Sequence, residues 1–129
     1  MSRSDTLPIF LDTYKLLIEM YQVTNKFTRE YKYSLGQDIK QDTLRLFRCI
    51  YSANHHTDKI PYLEDFLSNF ELLRLEIRLC HDLNVLPLKK LVHLSLMMDG
   101  IAKQANAWKR HEMKKKGLEV KDEETGGEV

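Results

Sequence analysis

Residues 70–80 restrict the fold of this chain more than any other stretch, because a helix there would be apolar on two faces. One face continues a heptad repeat: Leu63, Phe66, Phe70, Leu73, Ile77 and Cys80. A second face of the same helix carries Leu72, Leu75 and Leu79. Since an apolar helix face is stable only when another element covers it, this helix needs two partners. The pattern predicts a bundle in which one helix has surplus apolar surface.

Two segments before this helix have the periodicity of amphipathic helices. The first begins near Thr6, places Pro8 in its first turn and ends around Lys26. Its three- and four-residue steps predict a core stripe of Phe10, Leu11, Tyr14, Leu17, Ile18 and Tyr21. The second begins between Arg29 and Gln37 and has a stripe of Ile39, Thr43, Leu46, Phe47, Ile50 and Ala53. The polar residues 54–58 predict a turn after it.

The third helix is predicted to open at Pro61 and to end between Asn84 and Pro87. A fourth takes Pro87 in its first turn and stops at Gly117, with a stripe of Leu91, Leu94, Met98, Ile101, Ala105 and Trp108. Because no segment alternates apolar and polar residues as a strand does, we predict an all-α, antiparallel up-down-up-down four-helix bundle over residues 1–117.

Residues 118–129 form an acidic tail in this interpretation. Five of the nineteen acidic residues but only one of the twenty basic residues lie after position 118, so residues 1–118 carry a net charge of +5. The tail has low hydrophobicity and two adjacent glycines, and we expect it to be disordered because it cannot bury enough surface to offset its ordering entropy.

A second apolar row, Leu88, Val92 and Leu96, lies on the fourth helix beside its core stripe. Together with the second face of the third helix, it predicts apolar surface exposed on a single chain and therefore self-association. The alternative is that a thick bundle hides all of these residues within one chain.

Composition excludes several classes of protein. No apolar run approaches the roughly 20 residues that cross a bilayer, so no membrane span is expected. The N-terminal segment is interrupted by Asp12, Lys15 and Glu19 and does not have the apolar stretch of a secretory signal, which makes cytoplasmic residence the default expectation. Cys49 and Cys80 stand at apolar helical positions, which predicts core thiols without a disulfide.

Motifs for catalysis or metal binding are missing from the sequence. It has no glycine-rich loop after a strand, no nucleophile elbow, no CxxC and no HExxH. The di-iron bundle pattern needs Glu-x-x-His pairs, and none occurs. His55 and His56 are adjacent, but we interpret them as part of a solvated turn, and His81 and His93 as rim residues. We therefore expect no enzyme, metal or cofactor.

Basic residues give the clearest functional signal. The candidates are Lys40, Arg45 and Arg48 on the second helix, Arg74 and Arg78 on the third, and Lys103, Lys109 and Arg110 on the fourth. Arg45 and Arg48 stand three residues apart and therefore share a helix face. Arg74 and Arg78 stand four residues apart, where like charges repel, so an anionic partner would stabilise them. This partner is either local, namely Glu71 and Asp82, or an external polyanion such as RNA. The basic end of the fourth helix has the alternative role of a solubilising terminus.

Four short motifs give the sequence a resemblance to a known family. They are EYKYSLGQ at 30–37, IYSAN at 50–54, IPYLE at 60–64 and LLRLEIRL at 72–79. The chain resembles the accessory variability determinant (Avd) proteins of bacterial diversity-generating retroelements over roughly residues 7 to 112. These proteins belong to a four-helix-bundle family that includes proteins encoded by intervening sequences in ribosomal RNA genes.

The resemblance implies a non-catalytic scaffold, a homopentamer of bundles. It would bind the reverse transcriptase of the element and its RNA, either the template-repeat or the spacer transcript, and support mutagenic cDNA synthesis and retrohoming. Arg74 and Arg78 match the paired arginines of the family's third helix and would face the polyanion. The alternative function is a homo-oligomeric protein-interaction bundle of the intervening-sequence type, with no nucleic-acid role. No membrane partner is expected for either function.

Overall fold

A computed structural model describes residues 3–117, and the predicted disordered tail, residues 118–129, lies outside the described residues. The described part contains helices and no strand, as predicted for an all-α bundle. After a 3-10 turn at Ser4–Thr6, the helices are α1 Pro8–Asn25, α2 Arg29–Lys32, α3 Leu35–His55, α4 Ile60–Asp82 and α5 Leu88–Lys115. None of these helices combines the length and apolar character that a bilayer crossing requires.

Turn chemistry accounts for the helix ends. Asn84 has a left-handed φ of 62°, and after it the amides of Val85 and Leu86 donate to the Cys80 carbonyl at 2.9 and 3.1 Å, which closes the end of α4. Gly117, with φ of 70°, follows the end of α5 at the predicted stop. Pro61 and Pro87 stand at the starts of α4 and α5, where a missing N–H leaves no helical hydrogen bond unmade.

The second predicted helix is divided in the structure. Short α2 ends before Tyr33, Ser34 departs from helical geometry with φ of −122° and ψ of −92°, and α3 begins at Leu35. A Cβ on Gly36 would lie 3.1 Å from the Tyr31 carbonyl oxygen, so a glycine allows the close approach of α2 to α3. The predicted turn at 54–58 begins later than expected, because α3 continues to His55.

Contacts between the helices are consistent with the up-down-up-down order. Cys49 of α3 lies 3.6 Å from Asp65 of α4, and Lys109 of α5 lies 3.6 Å from Glu64 of α4. The early part of α1 meets the late part of α5, where the Gln104 amide donates to Asp12 at 2.6 Å. Each pair joins an early position of one helix to a later position of its neighbour.

The core lies between the inner faces of the four long helices. All six positions of the predicted α4 heptad are buried, and Phe66 and Phe70 stack with ring centroids 5.5 Å apart. The predicted stripes of α3 and α5 also face inward. Cys49 and Cys80 are buried free thiols, as expected. Thr24 and Thr43 are accommodated in the core because their hydroxyls donate to the carbonyls four residues earlier at 2.7 Å.

The predicted core stripe of the first helix is wrong at four of its six positions, while Phe10 and Leu17 are partly buried. Leu11, Tyr14, Ile18 and Tyr21 are 43–51% exposed. The buried face consists instead of Ile9, Thr13, Leu16, Met20 and Val23. Both stripes have the same helical spacing, and the polar Thr13 interrupts the one that is buried. Packing against α3 and α5 selects this narrower stripe and leaves the more aromatic one in solvent.

We predict that Leu16→Ala lowers the free energy of unfolding by about 2 to 5 kcal/mol, because Leu16 is fully buried and a cavity would remain. The matched substitution Leu11→Ala, on the exposed side of α1, should cost less than about 1 kcal/mol. Urea unfolding followed by circular dichroism measures both. The reverse order of the two losses would contradict the burial pattern of α1.

Candidate nucleic-acid and partner interface

Arg74 lies at the edge of a groove between α4 and α5. Its Nη2 donates to Asp99 Oδ1 of α5 at 2.9 Å, and its Nε lies 3.7 Å from Glu71 Oε1. The guanidinium also lies 5.3 Å from the centre of the Phe70 ring. Two carboxylates therefore compensate much of its charge, one of them the predicted local partner Glu71. Arg74 connects the two helices in addition to any role in binding.

Arg78 stands one turn later in the same groove and is exposed. Its predicted local partner Asp82 also lines the groove, but within residues 3–117 no ion pair joins the two side chains. The rest of the groove consists of Ile77, His81, Leu91, Ser95 and Met98. Of the two arginines, Arg78 has the charge that a bound anion could use.

The second candidate group lies on α3. Arg45 Nη1 is 3.1 Å from Asp42 Oδ1, and Arg45 and Arg48 line a shallow depression together with Gln41 and Leu44. Lys40 points toward α1, where its Nζ lies 5.0 Å from the centre of the Tyr21 ring. Arg45 and Arg48 thus share a face, as their spacing predicts. Lys40 stands two turns before Arg48, on the side of that face that borders α1.

The third group follows the late part of α5. Lys103 is exposed, Lys109 Nζ lies 3.6 Å from Glu64 Oε2, and Arg110 is partly buried. Near the end of the helix, Lys115 lies 3.4 Å from Glu112 and Lys116 forms an ion pair with Asp58. Much of the basic charge predicted here is engaged by neighbouring acids. The eight candidate residues therefore occupy three separate surfaces of one chain.

Exposed aliphatic side chains lie beside the α4–α5 groove. The predicted second rows are exposed, at 44–66% of each residue: Leu72, Leu75 and Leu79 on α4, with Leu88, Val92 and Leu96 on α5. Leu83, directly after the end of α4, is 40% exposed and extends the first row. We call these seven residues the leucine face. An apolar surface of this extent is typical of protein–protein contact regions. It confirms the prediction of surplus apolar surface on a single chain.

Glu76 of α4 and Asp42 of α3 bring two carboxyl groups together, and neither residue is among the candidates predicted from the sequence. The pKa of Glu76 is raised to about 8. Burial is the largest cause, the carboxyl groups of Asp42 and Asp38 add to it, and Arg45 opposes the increase. Glu76 and Asp42 are far apart in sequence, so no local pattern could have identified the pair. A proton shared here would replace repulsion between two carboxylates by a hydrogen bond.

The surroundings of the two cysteines and of four histidines indicate neither a reactive thiol nor a metal site. Burial, followed by the nearby Asp65, raises the pKa of Cys49 to about 11, and burial raises the pKa of Cys80 to about 12, so both thiols are poor nucleophiles. His55 and His56 are exposed, but only His56 lies in the turn, because His55 is the last residue of α3. His81 is partly buried, whereas His93 is exposed. The described residues contain no group of three or more side chains that could hold a metal ion.

Comparison with protein-family models gives one finding. Residues 9–112 match the model described as bAvd-like. The match covers most of the chain and all four long helices except the first residue of α1 and the last turn of α5. Searches of curated proteins and of solved structures find no match.

The Glu76 carboxyl makes stability depend on pH in a defined direction. Its pKa rises from the ordinary 4.5 to about 8, so between these values the folded state holds a proton that the unfolded state releases. The stability that this proton contributes is complete below pH 4.5 and is lost as pH rises through about 8. We predict that the wild type loses stability relative to Glu76→Gln across this window.

Urea unfolding of both proteins at a series of pH values measures this difference. Glu30→Gln serves as the control, because Glu30 is an exposed carboxylate on α2 and its replacement should give a difference that does not vary with pH in this window. A pH-independent difference for Glu76→Gln would show that Glu76 is ionised in the folded chain.

Proposed function

Because the chain belongs to the bAvd-like family, we propose that it is the non-catalytic accessory protein of a diversity-generating retroelement. In this proposal it forms a homo-oligomeric scaffold in the cytoplasm that binds the element's reverse transcriptase and its template-repeat or spacer RNA. The scaffold would support mutagenic cDNA synthesis and retrohoming. Family membership supports the accessory role, and the surface of α4 and α5 supports the binding role.

The observation that carries the binding role is the exposed Arg78 in a groove next to an aliphatic surface. An exposed guanidinium can contact a phosphate without giving up an intramolecular ion pair. The leucine face beside it offers a surface on which a second copy or the polymerase can pack. Subunit association would repeat Arg78 around an axis, so that weak single contacts become a polyanion-binding surface.

The expected mode of RNA contact at this groove is through the backbone. Exposed arginines on a helix face can neutralise phosphates, and contacts to phosphates carry no sequence information. Affinity that comes from such contacts decreases with salt because bound phosphates release their counterions. Strong salt dependence with little sequence preference is therefore the expected signature.

A second candidate function rests on the leucine face alone. Aliphatic side chains favour protein contacts, and Arg74 is already held by Asp99 and Glu71. A homo-oligomeric protein-interaction bundle with no nucleic-acid role would use the same surface. The two functions differ in whether a polyanion binds once the oligomer has formed.

Self-association can be tested at the leucine face. We expect multi-angle light scattering of the wild type to give a multiple of the 15.3 kDa chain mass, with five copies as the family-based expectation. Leu75→Glu and Leu96→Glu place a charge at positions 61% and 66% exposed, and each should shift the mass toward a single chain. Gln37→Glu, which adds the same charge at an exposed position of α3, should leave the mass unchanged. A wild-type mass of one chain at high concentration would reject the oligomeric scaffold.

Polyanion binding can be tested at Arg78. Arg78→Ala should weaken RNA binding and flatten the plot of log affinity against log salt by about 0.7 for each phosphate of a single strand that is no longer neutralised. Lys26→Ala removes the same charge from an exposed site at the end of α1 and should change neither value. Filter binding across a salt series gives affinity and slope, and a thermal melt verifies folding.

The double variant Arg74→Ala/Arg78→Ala separates binding from stability, because removal of the Arg74 guanidinium also leaves Asp99 without its cation. We expect it to bind RNA no better than Arg78→Ala and to melt at a lower temperature. Unchanged affinity and slope in folded Arg78→Ala would assign binding to the groups on α3 or α5. A wild type that binds no RNA would favour the second candidate function.

A further inference from the structure

The outer surface shared by α1 and α3 differs chemically from the leucine face. Three tyrosines are strongly exposed there: Tyr14 at 51%, Tyr21 at 44% and Tyr51 at 59%. Lys40 and Arg48 lie on the same surface of α3, together with the exposed Leu44. We call these six residues the tyrosine face. Two of its residues, Tyr14 and Tyr21, belong to the stripe of α1 that the sequence pattern assigns to the core.

Two contacts fix how the tyrosines lie along this face. Near the start of α1, Phe10 meets Phe47 edge to face with ring centroids 5.0 Å apart, and near its end Tyr21 meets Lys40. Tyr51 follows Phe47 by one turn and so lies beyond Phe10, while Tyr14 lies between these two contacts. Tyr14 and Tyr21 are seven residues apart, or about 10 Å along the helix. The three rings therefore lie at successive levels along the shared surface, in the order Tyr51, Tyr14 and Tyr21.

Neither α1 nor α3 contributes a carboxylate to the tyrosine face. On α1, Asp12 accepts a hydrogen bond from Gln104 of α5, and Glu19 lies 3.7 Å from His93 of α5. On α3, Asp42 and Asp38 act on Glu76 of α4. These four carboxylates therefore point toward α5 or α4 and away from the surface that α1 and α3 share. The face thus combines aromatic rings with cations, and these two helices place no anion among them.

Two of the rings are held in position by neighbouring side chains. The Lys40 ammonium lies 5.0 Å from the centre of the Tyr21 ring, and the Tyr51 ring stacks on His55 with centroids 4.1 Å apart and planes 27° apart. An aromatic ring that is already ordered loses little conformational entropy when a second flat group stacks on it. These rings are therefore prepared for stacking on their outer sides.

We propose that the tyrosine face binds single-stranded nucleic acid, with bases stacked on Tyr14, Tyr21 and Tyr51 and phosphates near Lys40 and Arg48. Exposed rings between cations are the two elements of surfaces that hold single strands without reading their sequence. The inference rests on the proposed function, because it assigns unpaired stretches of the bound RNA to α1 and α3. The leucine face, which has no aromatic rings, is left for protein contacts.

The test compares two double variants at the same positions. Tyr14→Leu/Tyr21→Leu keeps apolar bulk but removes the rings, and Tyr14→Phe/Tyr21→Phe keeps the rings but removes the hydroxyls. Fluorescence anisotropy with a labelled oligouridine of about 15 nucleotides measures affinity. We expect the leucine variant to bind about tenfold or more weakly than wild type and the phenylalanine variant to bind within about threefold of it.

A labelled strand of the same length without bases isolates the stacking contribution. Its phosphates can still meet Lys40, Arg48 and the other cations, so wild type and both variants should bind it with equal affinity. Light scattering and a thermal melt on each variant establish that oligomer mass and folding are unchanged. The full chain is used throughout.

Three results would overturn the inference. They are wild-type affinity of the leucine variant for oligouridine, an equal loss of affinity for the strand without bases, and a changed oligomer mass, which would make the tyrosine face an interface between copies. In each case RNA binding by the wild type would leave the proposed function standing. A wild type that binds no nucleic acid would contradict the RNA-binding role and this inference together.

Discussion

Burial of the inner heptad of α4 is the interaction on which the rest of the structure depends. Phe66 and Phe70 stack inside the bundle, and Leu73, Ile77 and Cys80 continue the same buried row. This row packs against both α3 and α5, so α4 fixes the rotation of two neighbours at once. Once it is buried, the remaining apolar residues of α4 must point outward. The exposed leucines are thus a direct consequence of the core.

The bundle has two outer surfaces of different composition. The leucine face on α4 and α5 is aliphatic and lies beside Arg78, whereas the tyrosine face on α1 and α3 combines rings with Lys40 and Arg48. Aliphatic surface favours contact with protein, and aromatic surface between cations favours stacked bases. A chain of this size can therefore present separate surfaces for a protein partner and for a strand, on opposite pairs of helices. That division suits the accessory role that we propose, in which one protein contacts both a polymerase and RNA.

Charged residues at the helix contacts connect the helices, and some of them are also candidates for binding. Arg74 joins α4 to α5 through Asp99, and Lys109 joins the same two helices through Glu64. Asp42 and Glu76 bring two carboxyls together between α3 and α4, where burial favours the protonated form of Glu76. Basic residues that look equivalent in the sequence consequently differ in the structure: some are engaged by acids, and Arg78 and Lys103 are exposed at the surface.

The sequence by itself determined the all-α class, the four long helices, the buried stripes of α3, α4 and α5, and the exposed leucine rows, because helical periodicity and proline and glycine positions are local signals. Its motifs also indicated the family that the model match confirms. Only the tertiary structure decided which of two equally spaced stripes of α1 is buried, since both have helical spacing and only packing against α3 and α5 distinguishes them. Tertiary structure also paired Arg74 with Asp99 and Glu76 with Asp42, because each pair joins residues from different helices. Periodicity describes one helix at a time, whereas a site made by two helices depends on their relative rotation and register.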